Sequence, residues 1–266
     1  MTPPLAALAC LSLVAAGALV TQPAFEGMTA DQLVARVTRQ TRPSSSYRIR
    51  ATLTKTIAAT GSRDVHQLLI KRHRDRRGAH VLFEQLWPTE GAGRTLVLDN
   101  THGRPAQGFL YEGGRVIPLT PQRFGARFLD SDLLIDDMVE RFWSWPAPRL
   151  VGEEAVGEHR CAIVEFRPAP ATATPYSMIR AWISPDLLIG LRIQQYGSDG
   201  RMVKQIDGYR ILKVDDRWVA GIVSVEPADG RSRTVIEATK YEADPTLTAE
   251  DFTIDAIRRS ASARAR

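Results

Sequence analysis

The sequence has few cysteines and lacks the motifs that mark the common enzyme classes. Only Cys10 and Cys161 occur among its 266 residues, which excludes a small scaffold held together by disulfides. No HExxH, GxSxG, P-loop, GxGxxG or CxxC pattern is present, and the five histidines have no metal-ligand spacing. Glycine (19) and proline (16) are at ordinary levels, so collagenous and low-complexity classes are also excluded. We therefore expect a non-enzymatic globular protein without cofactor or metal.

The longest apolar run is too short for a membrane span. Residues 5–20 are apolar except for Ser12, whereas a transmembrane helix needs about 20 apolar residues. We interpret residues 1–24 as a secretory signal peptide, and we expect a soluble mature chain in the periplasm. Lipidation of Cys10 is disfavoured because this residue lies in the middle of the run. The mature chain then keeps only Cys161, so we expect no internal disulfide.

The charge balance is slightly basic, with 35 Lys and Arg against 30 Asp and Glu and a formal net charge of +5. No helix-turn-helix, zinc-finger or RNA-binding motif accompanies this excess, so we do not expect nucleic acid as a partner. The arginines that lie close together at the end of one predicted strand are Arg72, Arg74, Arg76 and Arg77. They are candidates for docking anionic lipid or an acidic partner, and the alternative is a solvated hairpin turn. Residues 260–266 are interpreted as a basic disordered tail.

A change of hydrophobic period separates two predicted helices from many predicted strands. Thr29 and Gln32 form a capping-box pair that predicts a helix over 30–40. Alternation over 47–57 predicts a strand with one buried side, and apolar spacing over 131–142 predicts a second helix with a solvated acidic side. The apolar residues of this second helix are candidates for a mobile lid: Leu134, Ile135, Met138 and Phe142.

Consecutive strand patterns separated by turn signals predict one antiparallel sheet of ten or eleven strands. A sheet of this size must close into a barrel or curl around whatever covers its apolar side. We expect a mainly β, unclosed half-barrel whose concave side, covered by short helices, holds an apolar ligand. The residues expected to line this cavity are Ile49, Leu53, Val81, Phe83, Met178, Trp182, Leu191 and Ile193. The alternative is that these side chains fill the dry core of an ordinary sandwich.

Five stretches follow one another in the order known from one family. They are FLYEGGRVIPL (109–119), FGARFLDSDL (124–133), EHRCAIVEFRP (158–168), the strand, Pro-turn, strand, Asp-Gly turn, strand unit of 176–206, and LTAEDFTIDAIRR (247–259). In these stretches the chain resembles the outer-membrane lipoprotein-sorting proteins of the LolA/LolB-like superfamily. The resemblance extends over most of the mature chain, and its order makes it more specific than any single stretch.

The resemblance implies one half-barrel domain over 25–259 that holds lipid chains in its hydrophobic interior. It implies a non-enzymatic periplasmic carrier of lipoprotein acyl chains or another lipid, with an inner-membrane transporter and an outer-membrane acceptor as partners. We expect a monomer. Two alternatives stay open: a binding module without a shuttling role, such as an accessory subunit of an inner-membrane lipid exporter, and an enzyme with an unrecognised site.

Overall fold

The computed structural model describes residues 27–40, 46–76, 78–101, 105–139, 141–214, 217–243 and 246–264. The expected signal peptide of residues 1–24 and Arg77 lie outside these ranges, so the structure does not test them. Within the described ranges, no helix is both long and apolar enough to cross a membrane.

Thirteen strands form a single antiparallel sheet in the described part of the chain. They are β1 (Tyr47–Ile57), β2 (Arg63–Arg74), β3 (Gly78–Trp87), β4 (Thr95–Thr101), β5 (Gln107–Glu112), β6 (Arg115–Pro118), β7 (Arg149–Val156), β8 (His159–Phe166), β9 (Met178–Ser184), β10 (Ile189–Tyr196), β11 (Met202–Val214), β12 (Arg217–Pro227) and β13 (Ser232–Ala243). The α-helices are α1 (Ala30–Gln40) and α2 (Ile254–Arg264). Short 3-10 helices occur at Thr89–Gly91, Pro121–Gly125, Ile135–Val139, Arg141–Ser144 and Ala249–Phe252.

The sheet is open at two edges. Its strands run in the order β6-β5-β4-β3-β2-β1-β13-β12-β11-β10-β9-β8-β7, and β6 and β7 are the unpaired ends. The predicted mainly β, unclosed half-barrel is therefore confirmed, although it has more strands than the ten or eleven expected. The sequence patterns missed β7 because Gly152 lies at a register shift and interrupts the alternation of this edge strand.

The register defines two faces of the sheet. Directly opposed residues of antiparallel strands point to the same side, and one such row runs from β10 to β1 through Ile193, Ile206, Val225, Thr234 and Lys55. We call this side the inner face, and it also carries Leu53, which alternates with Thr54. We call the segment from Pro121 to Trp145 the cover, because it and α1 lie across the inner face. The opposite, outer face packs against α2 through Ile257.

The first helix agrees with its predicted start. The Thr29 backbone N–H donates to Gln32 Oε1 over 2.9 Å, and the Gln32 N–H donates to Thr29 Oγ1 over 3.2 Å, so the capping box is confirmed. An isolated helix of this length is marginal in water. Leu33 and Val37 are buried against the β8 and β9 side of the inner face, and this packing stabilises the helix.

The predicted helix over 131–142 is wrong, because 131–134 lie outside any helix and the described residues that follow form the short 3-10 helices Ile135–Val139 and Arg141–Ser144. Its described aspartates are not solvated, since Asp132 is 3% and Asp136 is 7% exposed and the Asp137 side chain is 1% exposed. Ile135 and Val139 are buried as well, so buried residues occur all around this segment. A regular amphipathic helix buries one stripe only and could not place all of them inward.

The predicted disordered tail from residue 260 is also wrong as far as Arg264, because α2 continues to that residue. The helix begins directly after Thr253, whose Oγ1 accepts a hydrogen bond from the Ala256 N–H over 3.3 Å. Ile257 and Phe252 pack on Leu82 of the outer face. The basic composition of this segment suggested disorder, but packing of Ile257 and Phe252 on the sheet stabilises it as a helix.

Candidate functional site

One half of the inner face is an apolar surface beneath the cover. On the sheet side it consists mainly of Leu53, Leu68, Ile70, Phe83, Leu96, Leu98 and Ile236, and on the cover side of Phe124, Phe128, Leu129, Ile135, Met138 and Val139. Leu53 and Leu96 are 0% exposed. The rings of Phe83 and Phe128 meet edge-on, with centroids 5.7 Å apart. The cover thus removes a broad aliphatic surface from water.

The other half of the inner face lies beneath α1 and the end of the cover. Its sheet residues include Val164, Phe166, Ile179, Ala181, Ile183 and Ile193, and they pack against Leu33, Val34, Val37, Phe142 and Trp145. Phe142 lies 4.6 Å from Trp143 and 5.3 Å from Phe166, measured between ring centroids. This aromatic group closes the β8 end of the inner face.

The four lid candidates lie in the cover and divide between these two surfaces. Ile135 and Met138 pack with the first surface, whereas Leu134 and Phe142 pack with the second. The cover therefore bridges both halves of the inner face. Whether it opens stays a prediction.

A group of polar side chains, which we call the polar anchor, joins the cover to the middle of the sheet. Its members are Asp132, Asp137, Tyr176, Gln195, Lys204 and Thr234. Asp137 lies at its centre: one oxygen receives the Lys204 ammonium at 2.5 Å and the Leu134 N–H at 2.7 Å. The other oxygen accepts from the Tyr176 hydroxyl at 2.5 Å and from Gln195 Nε2 at 2.9 Å.

Asp132 forms the second joint of the polar anchor. Its carboxylate accepts from the hydroxyls of Ser232 at 2.7 Å and Thr234 at 2.8 Å, and its backbone N–H donates to Thr234 Oγ1 at 3.0 Å. Lys204 also donates to the Asp132 carbonyl oxygen over 3.2 Å. Two strands of the sheet, β11 and β13, which lie on either side of β12, thus hold the same turn of the cover.

The electrostatics of the polar anchor favour a closed cover. The side chains of Lys204 and Asp137 are 7% and 1% exposed, so both charges are desolvated and depend on each other. Burial, together with the adjacent Asp137 carboxylate, raises the pKa of the Tyr176 hydroxyl, which therefore stays protonated and donates. Each Asp137 lone pair has a donor, so this carboxylate has the satisfied bonding of a structural joint rather than of a poised acid or base, whereas the buried Gln195 Oε1 has no hydrogen-bond partner among the described residues.

Further polar contacts hold the cover on either side of Asp132. The Lys55 ammonium donates to the Asp130 carbonyl oxygen over 2.7 Å. Asp136 pairs with Arg141 and accepts the Thr174 hydroxyl over 2.7 Å. No regular strand pairing joins the cover to the sheet in the described residues, since its one ladder contact, between Arg127 and Leu134, is internal. Side chains therefore carry the attachment.

Five of the eight predicted cavity residues lie on the inner face. Leu53 and Phe83 belong to the surface under the cover, and Ile193 belongs to the surface under α1. Ile49 opposes Ile70, and Val81 opposes Leu98, which places both on the same side. Contact of these five with a lipid stays a prediction.

The other three predicted cavity residues, Met178, Trp182 and Leu191, face outward, so the expectation that all eight share one face is wrong. Trp182 packs with Leu191 and Cys161 on the outer face, and its Nε1–H donates to Glu154 over 2.9 Å. Met178 shares the parity of Trp182 in β9. A bulge between Gly190 and Arg192 turns Leu191 to the side opposite Ile193, which simple alternation could not predict.

Three of the predicted basic docking residues, Arg72, Arg74 and Arg76, lie at the end of β2 and in the turn that follows, and Arg77 lies outside the described chain. Arg72 and Arg74 lie in β2 on the inner side and are half-buried, and the Arg72 guanidinium lies 5.8 Å from the centroid of the Tyr47 ring. Arg76 is exposed in the following turn. Docking of anionic lipid or an acidic partner to these arginines stays a prediction.

The polar anchor was missed by sequence reasoning, although a signal for it exists. Gln195, Lys204 and Thr234 occupy strand positions whose neighbours of the same parity are largely apolar, and they are buried. A polar residue at such a position needs a buried partner. The aspartates of 131–142 supply these partners. No group of three or more His, Cys, Asp or Glu side chains suited to a metal occurs in the part of the chain that the structure describes.

Comparisons with known proteins place these features in a family. Residues 82–259 match the model of a family described as "Uncharacterized protein". No curated protein matches the chain in sequence. A DUF1329 family protein from Desulfovibrio piger superposes with a TM-score of 0.77 at 22% identity, over 85% of this chain and 97% of that one.

Two further solved structures share the architecture. A putative outer membrane lipoprotein-sorting protein domain from Vibrio parahaemolyticus has a TM-score of 0.79 at 13% identity, covering 86% of this chain and 98% of its own. A LolA superfamily protein from Nitrosomonas europaea has a TM-score of 0.69 at 14% identity, covering 86% and 99%. At these identities the similarity shows the fold, and it agrees with the open sheet and covered inner face described above.

Proposed function

Because the chain belongs to the family whose model matches residues 82–259 and has the fold of LolA superfamily proteins, we propose that it binds lipid acyl chains. The bound chain, from a lipoprotein or another lipid, lies between the inner face and the cover. The protein acts as a non-enzymatic carrier in the periplasm after export. The observation that carries this proposal is a wide apolar inner face whose cover is attached by side chains rather than by strand pairing.

The geometry of the inner face suits an acyl chain. Aliphatic and aromatic residues extend across the sheet from β4 to β8, interrupted by the polar anchor at the centre. Burial of one methylene contributes about 0.8 kcal/mol, so a chain of roughly 16 carbons has on the order of 10 kcal/mol of gross transfer energy. A bilayer offers the chain the same energy, and therefore a carrier must change its affinity to load and release.

The cover supplies such a change. In the structure it packs on the same side chains, including Leu53 and Phe83, that an acyl chain would contact. Binding then requires the cover to move, and its buried apolar area and the polar anchor oppose that movement. The difference between the open and closed states sets the net affinity. The name of the Vibrio parahaemolyticus relative refers to lipoprotein sorting, which agrees with acyl chains as cargo.

A second candidate function is a binding module that docks to a transporter without carrying lipid. The observation that favours it is the dense closed packing of the inner face, where Phe166 and Ile183 are 0% exposed. In that case the inner face is a permanent core. Lipid binding separates the two functions directly.

The test uses purified full-length protein. Mass spectrometry of its organic extract should identify bound lipid in stoichiometric amount, and the delipidated protein should bind a fluorescent fatty acid. Ile193→Trp adds bulk on the inner face and should weaken that binding, whereas Ile211→Trp adds the same bulk to a half-buried outer-face isoleucine and should not. Lipid-free protein that binds no probe would favour the docking module. Equal effects of both variants would contradict an inner-face site.

A further inference from the structure

A basic groove lies on the outer face, away from the proposed acyl site. It crosses β2, β1 and β13 and has a volume of about 360 Å³. Its lining residues are Arg48, Arg50, Leu69, Lys71, Lys240 and Glu242. Arg48 and Arg50 alternate with Ile49 and Ala51 of the inner face, so one side of the sheet carries the groove and the other the acyl site.

The strand register places like charges directly opposite each other in this groove. Arg48 opposes Lys71 on β2, and Arg50 opposes Lys240 on β13. Like charges at opposed positions destabilise a sheet, and two such pairs side by side repeat that effect. An anion bound between them offsets the repulsion.

One carboxylate lies among the described lining residues, and it does not balance Arg50, Lys71 and Lys240. Glu242 opposes Arg48 and forms an ion pair with Lys240. The hydrogen bond from Lys240, with the nearby charges of Arg48 and Arg50, lowers the pKa of Glu242. Glu242 therefore stays ionised at neutral pH, and the groove keeps an excess of positive charge.

The excess is local to this groove. A neighbouring cleft of about 200 Å³ under α2 shares Lys71 and adds Arg259, but it also contains the carboxylates of Glu84 and Asp251. Two cations face two carboxylates there. The positive potential is therefore concentrated over β2, β1 and β13.

We propose that this groove binds the phosphate of an anionic phospholipid head group, so that the outer face rests on a membrane surface. Guanidinium groups bind phosphate oxygens through paired hydrogen bonds, and Leu69 offers apolar contact to the glycerol carbons. The volume lies in the range of small-molecule sites, about 300–1,000 Å³, which suits one head group. The site is independent of the acyl site, because it uses the other face.

The experiment measures co-sedimentation of the full chain with vesicles of phosphatidylglycerol or phosphatidylcholine. Binding is expected with phosphatidylglycerol at about 0.01 M salt and not at about 1 M, since the Debye length falls from roughly 30 Å to 3 Å. Each basic residue near an anionic surface contributes about fivefold in affinity, so Arg50→Gln/Lys71→Gln should weaken binding roughly 25-fold. The control Arg149→Gln/Arg201→Gln removes the same charge from exposed positions elsewhere and should change binding less than twofold.

Two further measurements keep the outcome interpretable. Glu242→Gln removes the carboxylate of the groove and should strengthen vesicle binding. The double groove variant should keep the urea midpoint and the fatty-acid affinity of the unaltered protein, because it removes a repulsive cluster on the other face. If the unaltered protein bound no fatty-acid probe, that result would count against the proposed function, but it would not contradict phospholipid binding in the groove.

Three results would overturn the proposal that the groove binds a phospholipid head group. They are equal weakening by both double variants, absence of binding to phosphatidylglycerol at low salt, and saturable binding of soluble glycerol phosphate without vesicle association. The first would reduce the effect to net charge. The third would make the groove a site for a free phosphate compound instead of a membrane.

Discussion

Replacing Lys204 by methionine tests whether the polar anchor holds the cover on the sheet. The substitution keeps an unbranched side chain that is one atom shorter and removes its charge, so it leaves the Asp137 carboxylate buried without its cation. The ammonium lies 2.5 Å from the Asp137 carboxylate, and the two side chains are 7% and 1% exposed. Because both side chains are shielded from water, the solvent cannot replace the lost cation, and a penalty for the uncompensated charge is expected.

The magnitude follows from this burial. Breaking a buried pair by removing one partner costs about 3–5 kcal/mol, and Tyr176, Gln195 and the Leu134 N–H still donate to Asp137. We therefore expect the lower end, about 3 kcal/mol of unfolding free energy, which corresponds to a fall in Tm of roughly 6–12 °C for a chain of this size. Replacing both partners, Lys204→Met/Asp137→Leu, should cost less than the sum of the single variants.

Urea unfolding followed by circular dichroism measures these differences. Arg160→Met is the matched control, because it breaks the more exposed Arg160–Glu153 pair, whose arginine side chain is 51% exposed, and should cost about 0–1 kcal/mol. Fatty-acid probe uptake by Lys204→Met should be faster, since the cover is then less tightly held. A loss below 1 kcal/mol for Lys204→Met, equal to the control, would refute the view that this pair anchors the cover.

Three further predictions follow from buried groups in the cover and the sheet. Met138→Ala and Phe142→Ala should each lower the free energy of unfolding by less than the roughly 2–5 kcal/mol of an ordinary core truncation, and they should change probe affinity more than stability. Urea midpoints and probe titrations measured in parallel test this. A large loss of stability with unchanged probe binding would show that the cover is part of a permanent hydrophobic core. Thr234→Val should cost about 1–3 kcal/mol in urea unfolding, because it removes the hydroxyl that both donates to and accepts from Asp132, and no change would mean that water replaces it. Burial raises the pKa of the Cys161 thiol to about 11, so the reactive thiolate forms only as the pH approaches 11. At pH 8 the folded Cys10→Ser variant should therefore resist iodoacetamide and react only in urea. Rapid labelling of the folded variant at pH 8 would contradict a buried Cys161 thiol.

Local chemistry explains why much of the fold could be predicted. The capping box of Thr29 and Gln32 depends on residues three apart, and the alternation of 47–57 depends on neighbours in one strand, so both are legible in the sequence and both are confirmed. The half-barrel followed from many hairpin-spaced strands with too few helices to cover them. These inferences need no knowledge of which strands meet.

The errors concern contacts between distant parts of the chain. In the sequence, Asp132 and Asp137 have the spacing of the solvated side of a helix. In the structure they bind Thr234 and Lys204, which lie some 100 and 67 residues away in the chain. Leu191 has the parity of a cavity residue until the bulge at Gly190 turns it outward. The basic groove depends on the register of three strands, which no local pattern encodes. Local periodicity was therefore enough to predict the fold, whereas the candidate site depends on contacts between distant residues that the sequence patterns do not show.

The central claim is that an acyl chain lies between the inner face and the cover, and photochemical mapping tests it most directly. The delipidated protein is loaded with a fatty acid that carries a diazirine near its methyl end, irradiated, digested and analysed by mass spectrometry. We expect labelled peptides from β1, β3 and the cover, which contain Leu53, Phe83 and Met138 on the two sides of the proposed site. Labelling confined to outer-face residues such as Trp182 and Leu191, or no saturable labelling, would contradict the proposed function.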